Sequence, residues 1–345
     1  MRQKEIESLQ GAIRKDEYSV LKTLAVLLVV FAHVTIFFSE EGGVFEMETN
    51  MLLHYVTNVI YSFHMQLFFF LSGAIFKCCI DLGKYKEIKP FLISKAKRLM
   101  IPYFLWGTLY VAPVVTLLKI TESSFGEYIV NGILCNGDSR HLWYLWSLFF
   151  IFLLSRLLVP VLEKGKYVPI VVAVMATVLS YYAFDLTPAF GISRVLRYLQ
   201  YFLWGYAFVG QKAWIDKLLH RRIYISIIVF GIMTLLVMKT DNYNIDFLLP
   251  YAGIFASYVF VLNVKSCLIK MPAYQVVQQN SMGIYLVHPM IVYGFFYLYH
   301  RSFDRFSGFG AELLMCILTF VVTMVISIGI AKMIKMLRWD VLIGE

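Results

Sequence analysis

The sequence predicts an all-α polytopic membrane protein of about ten transmembrane helices with both termini cytoplasmic. Its residues are 60% hydrophobic and 15% charged, with a mean hydropathy of +0.71, whereas soluble domains carry about 25% charged residues. Ten apolar runs follow one another with short polar joints, and one helical crossing needs about 20 apolar residues. Basic residues collect at alternate joints, the asymmetry that orients membrane helices. A cytoplasmic segment 1–17 and a helical bundle over 18–338 are expected to form one domain spanning 1–345, with no separate soluble domain.

In order, the runs fall near 18–38, 55–76, 99–118, 142–162, 167–184, 192–210, 223–238, 247–264, 282–299 and 311–334. The first is long for a signal-peptide core and lacks a small-residue cleavage site, so it reads as a retained anchor. The joint after it, Ser39 to His54, contains Glu40, Glu41, Glu46 and Glu48 and no Lys or Arg, whereas Lys77 to Arg98 carries seven basic residues. That contrast puts the first joint outside and the second inside. The fourth run opens on interfacial aromatics, Trp143, Tyr144 and Trp146. The runs 167–184 and 223–238 are short and rest on the charge pattern for support. The ninth holds Pro289, which frees a backbone carbonyl one turn earlier and kinks its helix. No internal repeat or low-complexity tract interrupts the series.

Composition also excludes several classes. A net charge of +9 would suit nucleic acid, but the cations sit at the ends of apolar runs, where topology and anionic headgroups account for them. No nucleic-acid partner is expected. The five cysteines, Cys78, Cys79, Cys135, Cys267 and Cys316, lack CxxC spacing and a nearby zinc-like His, so neither a metal nor a structural disulfide is expected. No nucleophile elbow, phosphate-cradling glycine loop or zinc helix occurs.

Chemistry is sought first on the opening run. Lys22 precedes His33 by eleven residues; at about 100° per residue the two share one helix face, about 16 Å apart along the axis. Hydrocarbon penalises such groups by several kcal/mol, so the stripe should face a protein interior or wet cavity. An imidazole, with an ordinary pKa of about 6.5, suits general-base work near neutrality; a helix-packing hydrogen bond is the plainer role. On the second run His64 and Ser72 are candidates, with Ser72-Gly73 also a close-packing notch. Lys95 and Arg98, three apart at the entry to the third run, would share a side and suit phosphates, or serve as topology signals. Arg140, His141 and Trp143 resemble a carbohydrate platform, or an interfacial belt. His288 beside Pro289 could face a cavity or serve structure alone. Arg194 and Arg197 could meet an anionic acceptor or anchor the interface.

Together these pieces resemble the acyltransferase-3 family of bacterial membrane O-acyltransferases. Lys22 and His33 match its opening motif of a basic residue, ten others and His. Phe63-His64-Met65-Gln66-Leu67-Phe68-Phe69-Phe70-Leu71-Ser72-Gly73 is similar to the fucose 4-O-acetylase-related subgroup, which has Pro where Gln66 stands. Lys95-Ala96-Lys97-Arg98 followed by Ile101-Pro102-Tyr103 resembles the paired-arginine element, with Lys in first place. His141-Leu142-Trp143-Tyr144-Leu145 and Ile284-Tyr285-Leu286-Val287-His288-Pro289 supply two more segments. The family often has an acid three residues before the first basic residue; here that position is Ser19, with Asp16 and Glu17 nearby.

The resemblance implies transfer of an acyl group, most often acetyl from cytosolic acetyl-CoA, to a hydroxyl of an extracytoplasmic or lipid-linked glycan, in a bacterial cytoplasmic membrane. In that reading Lys95 and Arg98, with Lys22, hold the CoA phosphates while the pantetheine threads a lumen. His33 deprotonates the sugar hydroxyl, and His64, Ser72, Arg140, His141, Trp143 and His288 contact substrate. Direct transfer is preferred over an acyl-His33 or acyl-Ser72 intermediate. The rival readings are a transporter or flippase for a lipid-linked sugar and a non-catalytic partner in glycan assembly.

Overall fold

The computed structural model describes residues 17–39, 45, 49–183, 189–239, 247–302 and 308–345. The acidic residues Glu40, Glu41, Glu46 and Glu48, and 1–16 of the expected N-terminal segment, lie outside the described residues. Twelve helices carry the fold: α1 (Glu17–Thr35), α2 (Met51–Tyr61), α3 (His64–Asp81), α4 (Ile88–Leu117), α5 (Trp143–Leu162), α6 (Val168–Tyr182), α7 (Ile192–Val209), α8 (Lys212–Leu219), α9 (Ile223–Lys239), α10 (Leu249–Leu268), α11 (Pro272–Ser302) and α12 (Phe309–Met336).

Helix α1 is the hub. It is apolar around nearly its whole circumference, with Leu21, Ala25, Val30, Ala32 and Val34 fully buried, the pattern of a helix enclosed by others. Helices α2, α3, α10, α11 and α12 surround it. Polar groups on α1 therefore face protein rather than lipid.

Close helix contact elsewhere depends on small residues. A Cβ added at Gly73 of α3 would lie 1.8 Å from the Phe202 carbonyl oxygen of α7, and one at Gly205 of α7 would lie 1.9 Å from that of Phe70. The two glycines thus interlock reciprocally, and α3 and α7 approach backbone to backbone. A polar network also crosses the bundle: the Gln200 amide donates to Ser180 Oγ at 2.6 Å, Trp204 Nε1 donates to Thr177 Oγ1 at 3.0 Å, and the Tyr251 hydroxyl donates to Gln200. It joins α6, α7 and α10 with partners for every amide atom.

Nine of the ten predicted runs each fall on one helix and the second, 55–76, is divided between α2 and α3, but the crossings divide differently. Among the described residues seven helices are long and apolar enough to span a membrane, or eight if α8 and α9, bent by 92°, are one span. Helix α6 is apolar yet has 15 residues, about 22 Å at 1.5 Å per residue, shorter than a hydrocarbon core of about 30 Å. Helix α7 has 18 residues but carries Arg194, Arg197 and Gln200, of which Gln200 is bonded to α6 and α10. Helix α11 begins ten residues before its predicted start, because Pro272 opens a polar helical stretch bearing Gln275, Gln278 and Gln279. The protein is an all-α, multi-pass membrane protein.

Candidate active site

Near the C-terminal end of α1, His33 meets His288 of α11. His33 Nδ1 lies 2.8 Å from His288 Nε2, and the ring centroids are 4.9 Å apart with planes 16° from parallel. The imidazoles therefore meet edge to edge rather than face over face. Two more histidines stand close. His141, at the start of α5, has its ring 6.0 Å from that of His288 and its Nε2 3.0 Å from the Leu286 carbonyl. His64, opening α3, lies 4.9 Å from the Tyr61 ring, which in turn lies 6.2 Å from His33.

Accessibility separates the four rings. His64, His141 and His288 are buried, at 2%, 8% and 0% exposure, and only His33 is part-exposed. Each buried ring also spends a nitrogen on a backbone carbonyl: His64 on Ile60 at 2.8 Å, His141 on Leu286, and His288 on Ile284 at 2.9 Å. Carbonyls only accept, so those nitrogens carry protons. His64, His141 and His288 are thus all buried and committed to the backbone. Tyr110 Oη donating to the Val287 carbonyl at 2.9 Å, and the Tyr285 hydroxyl donating to the His141 carbonyl, fix this part of α11.

Ser72 is part-exposed and lies 3.2 Å from the Tyr144 hydroxyl. The Tyr144 ring packs 5.8 Å from Tyr285, tying this pair to the histidines. Arg140, in the left-handed region at φ 49°, turns to Asp138 at 3.2 Å and to the Ile120 carbonyl at 3.4 Å. Arg194 of α7 instead stands 5.9 Å over the Trp143 ring, which packs 4.9 Å from Tyr198.

At the other end of α1 a cavity of about 1600 Å³ is lined by Lys22, Lys89, Lys97, Arg98 and Lys335, with Glu345 the one acid among the described residues. Gln275, Gln278 and Gln279 of the polar start of α11 complete a strongly donor-rich wall. Lys95 is absent from it, which corrects the expected Lys95–Arg98 clamp. Lys95 is 7% exposed, with its ammonium 3.7 Å from the Phe152 ring centroid and 3.2 Å from the Tyr85 hydroxyl. The cause is a π-helical turn at Ala96–Met100, which adds a residue per turn and rotates Arg98 off the Lys95 face. Lys89, Lys97 and Lys335 are the residues that the motif reading passed over, although each is a charged residue at the basic side of an apolar run.

Two further expectations change. His33 does not line the cavity; on the stripe from Lys22 to His33, Val26 and Val29 are buried at 2% each, so the expected open lumen is filled here by side chains. Glu17 does not replace the acid missing at Ser19, because it pairs with Lys265 and with Lys212 at 3.3 Å. Ser19 lines the cavity and bonds Gln278 and Tyr274. Asp16 lies outside the described residues. Among the described residues no group of three His, Cys, Asp or Glu side chains is disposed to hold a metal.

The family model described as an acyltransferase domain, that of acyltransferase-3, matches residues 16–331. No curated protein and no solved structure matches the chain. The matched stretch runs from the start of α1 into α12 and takes in the histidine cluster and four of the five cavity cations, Lys335 lying beyond it. The chain belongs to the acyltransferase-3 family and is a multi-pass membrane acyltransferase.

Proposed function

We propose that this acyltransferase takes its acyl group from cytosolic acyl-CoA, acetyl-CoA first, and transfers it to a hydroxyl of a lipid-linked or extracytoplasmic glycan. The observation that carries the reading is one helix, α1, with a five-cation cavity at one end and a half-buried histidine about 16 Å away at the other. The cations suit the phosphates of a CoA ester, Arg98 by a planar fork and the lysines as point charges. The cavity is then the cytosolic face of a bacterial cytoplasmic membrane, in keeping with the basic joints around it.

A pantetheine arm is long and narrow enough to reach the histidines only if the side chains around Val26 and Val29 give way as it enters. At His33 the acceptor hydroxyl oxygen attacks the thioester carbonyl carbon. The C–O bond forms, the C–S bond breaks, and His33 Nε2 takes the hydroxyl proton and returns it to the leaving CoA sulfur. The products are an ester and free CoA. The Trp143–Tyr198 surface with Arg194 above it offers flat faces and a cation for the saccharide.

The test is the chain in nanodiscs with acetyl-CoA and a lipid-linked saccharide. Free CoA with a product heavier by one acetyl group supports the reading. Saccharide moved across the bilayer without modification, with no acyl-CoA requirement, overturns it in favour of a flippase.

A further inference from the structure

Donor and acceptor capacities in the His33–His288 pair determine where every ring proton sits. The Ile284 carbonyl, 2.9 Å from His288 Nδ1, can only accept. His288 Nδ1 therefore carries its proton, and the neutral ring presents a lone pair at Nε2. That lone pair faces His33 Nδ1 at 2.8 Å, so His33 Nδ1 is the donor. The near-coplanar, edge-to-edge rings are the arrangement that an in-plane N–H···N bond requires. His33 Nε2 is then left with its lone pair, and it has no hydrogen-bond partner among the described residues.

Nothing else in the cluster competes for this contact. His141 spends its Nε2 proton on Leu286 and meets His288 at 61° between planes. His64 spends its Nδ1 proton on Ile60. His288 is fully buried, whereas His33, whose ring it holds, is half-buried. The sequence feature behind this is His288-Pro289: proline lacks the N–H that would bond the Tyr285 carbonyl, loosening the turn in which Ile284 receives the imidazole.

We propose that His288 is a positioning residue, and that it fixes His33 in the tautomer protonated on Nδ1 so that Nε2 is the base. This rests on the proposal that His33 is the general base. When Nε2 takes the proton of the acceptor hydroxyl, His33 becomes an imidazolium whose Nδ1–H still points at the His288 lone pair, which stabilises the new charge. The logic is that of an oriented histidine in hydrolytic triads, with a neutral imidazole replacing the carboxylate.

The experiment combines kinetics with nitrogen NMR on the full chain in nanodiscs, using ring-labelled histidine and acetyl-CoA as donor. In the unaltered protein the His33 ring should show a protonated Nδ1 and an unprotonated Nε2. His288→Leu should lower kcat ~10–100-fold with the KM for acetyl-CoA within ~2-fold, and should shift His33 toward the Nε2–H tautomer. His288→Gln, which keeps an acceptor near the Nε2 position, should recover most of the rate. Full activity in His288→Leu, or a protonated Nε2 on His33 in the unaltered protein, overturns the inference. Should His288→Leu fail to fold, the spectrum of the unaltered protein decides alone. An active His33→Ala protein sinks the general-base reading instead, and leaves the tautomer measurement standing.

Discussion

Lys335 and Glu345 form a 2.7 Å ion pair on the wall of the cationic cavity. Glu345 thereby lies among the cavity cations Lys22, Arg98 and Lys335, where on the proposed reading its carboxylate competes with a donor phosphate. Gly344, at φ 67°, lets the chain fold against the Arg98 backbone; a Cβ there would lie 2.4 Å from the Arg98 carbonyl oxygen. Trp106 Nε1 donating to the Leu342 carbonyl at 2.7 Å anchors the same segment. A part-exposed ion pair is worth about 0–1 kcal/mol, so Glu345→Gln should lower the KM for acetyl-CoA ~2–5-fold without changing kcat. An unchanged or raised KM, read in steady-state kinetics, shows that the carboxylate does not compete with the donor.

Arg98 and Lys95 should separate cleanly. Losing a charge-assisted contact to a phosphate costs about 1.5–3 kcal/mol, so Arg98→Met should raise the KM for acetyl-CoA ~10–100-fold. Lys95→Met should leave that KM within ~2-fold. It should also leave the melting temperature equal or higher, because the desolvation cost of a buried ammonium is several kcal/mol against about 0.5–2 kcal/mol of cation–π attraction. A donor-affinity loss in Lys95→Met equal to that in Arg98→Met contradicts the placement of the two side chains.

The interlocked glycines set a stability test. Ala at Gly73 or Gly205 would drive a methyl into a facing carbonyl, which only a shift of α3 against α7 can relieve. Overpacking of this kind costs about 1–3 kcal/mol. Each variant should melt several degrees lower in detergent, with the pair together no worse than additive. Melting unchanged from the parent would mean that the two helices are not in backbone contact.

If the saccharide uses the Trp143 surface, Trp143→Ala and Arg194→Met should raise the KM for the acceptor by about tenfold, from lost contacts worth roughly 1–2 kcal/mol. The KM for acetyl-CoA should stay the same. Arg140→Met, whose charge is committed to Asp138, should change neither. Acceptor kinetics that respond to Arg140 and not to Arg194 would reverse this assignment.

What was legible in the sequence was what helical periodicity controls. Lys22 and His33 share a stripe because α1 is regular from one to the other, and the apolar runs return as helices because their composition leaves no alternative in a bilayer. The reading failed where periodicity breaks or chain distance hides a contact. The π-turn at Ala96–Met100 separated Lys95 from Arg98. The left-handed backbone at Arg140 sent its side chain to Asp138 and left Trp143 to Arg194. His288 was visible as a candidate, but its partnership with His33 spans 255 positions and arises only when α11 packs on α1. The apolar residues of α7 made it resemble a span in the sequence, yet Arg194, Arg197 and Gln200 set it apart from the helices apolar enough to cross a membrane.

The most direct measurement is acetyl-CoA-dependent transfer by His33→Ala in nanodiscs, with free CoA and the acetylated product both quantified. The account predicts a rate at least ~100-fold lower, with acetyl-CoA binding unchanged, since His33 lies off the donor cavity. A rate close to that of the unaltered protein would contradict it.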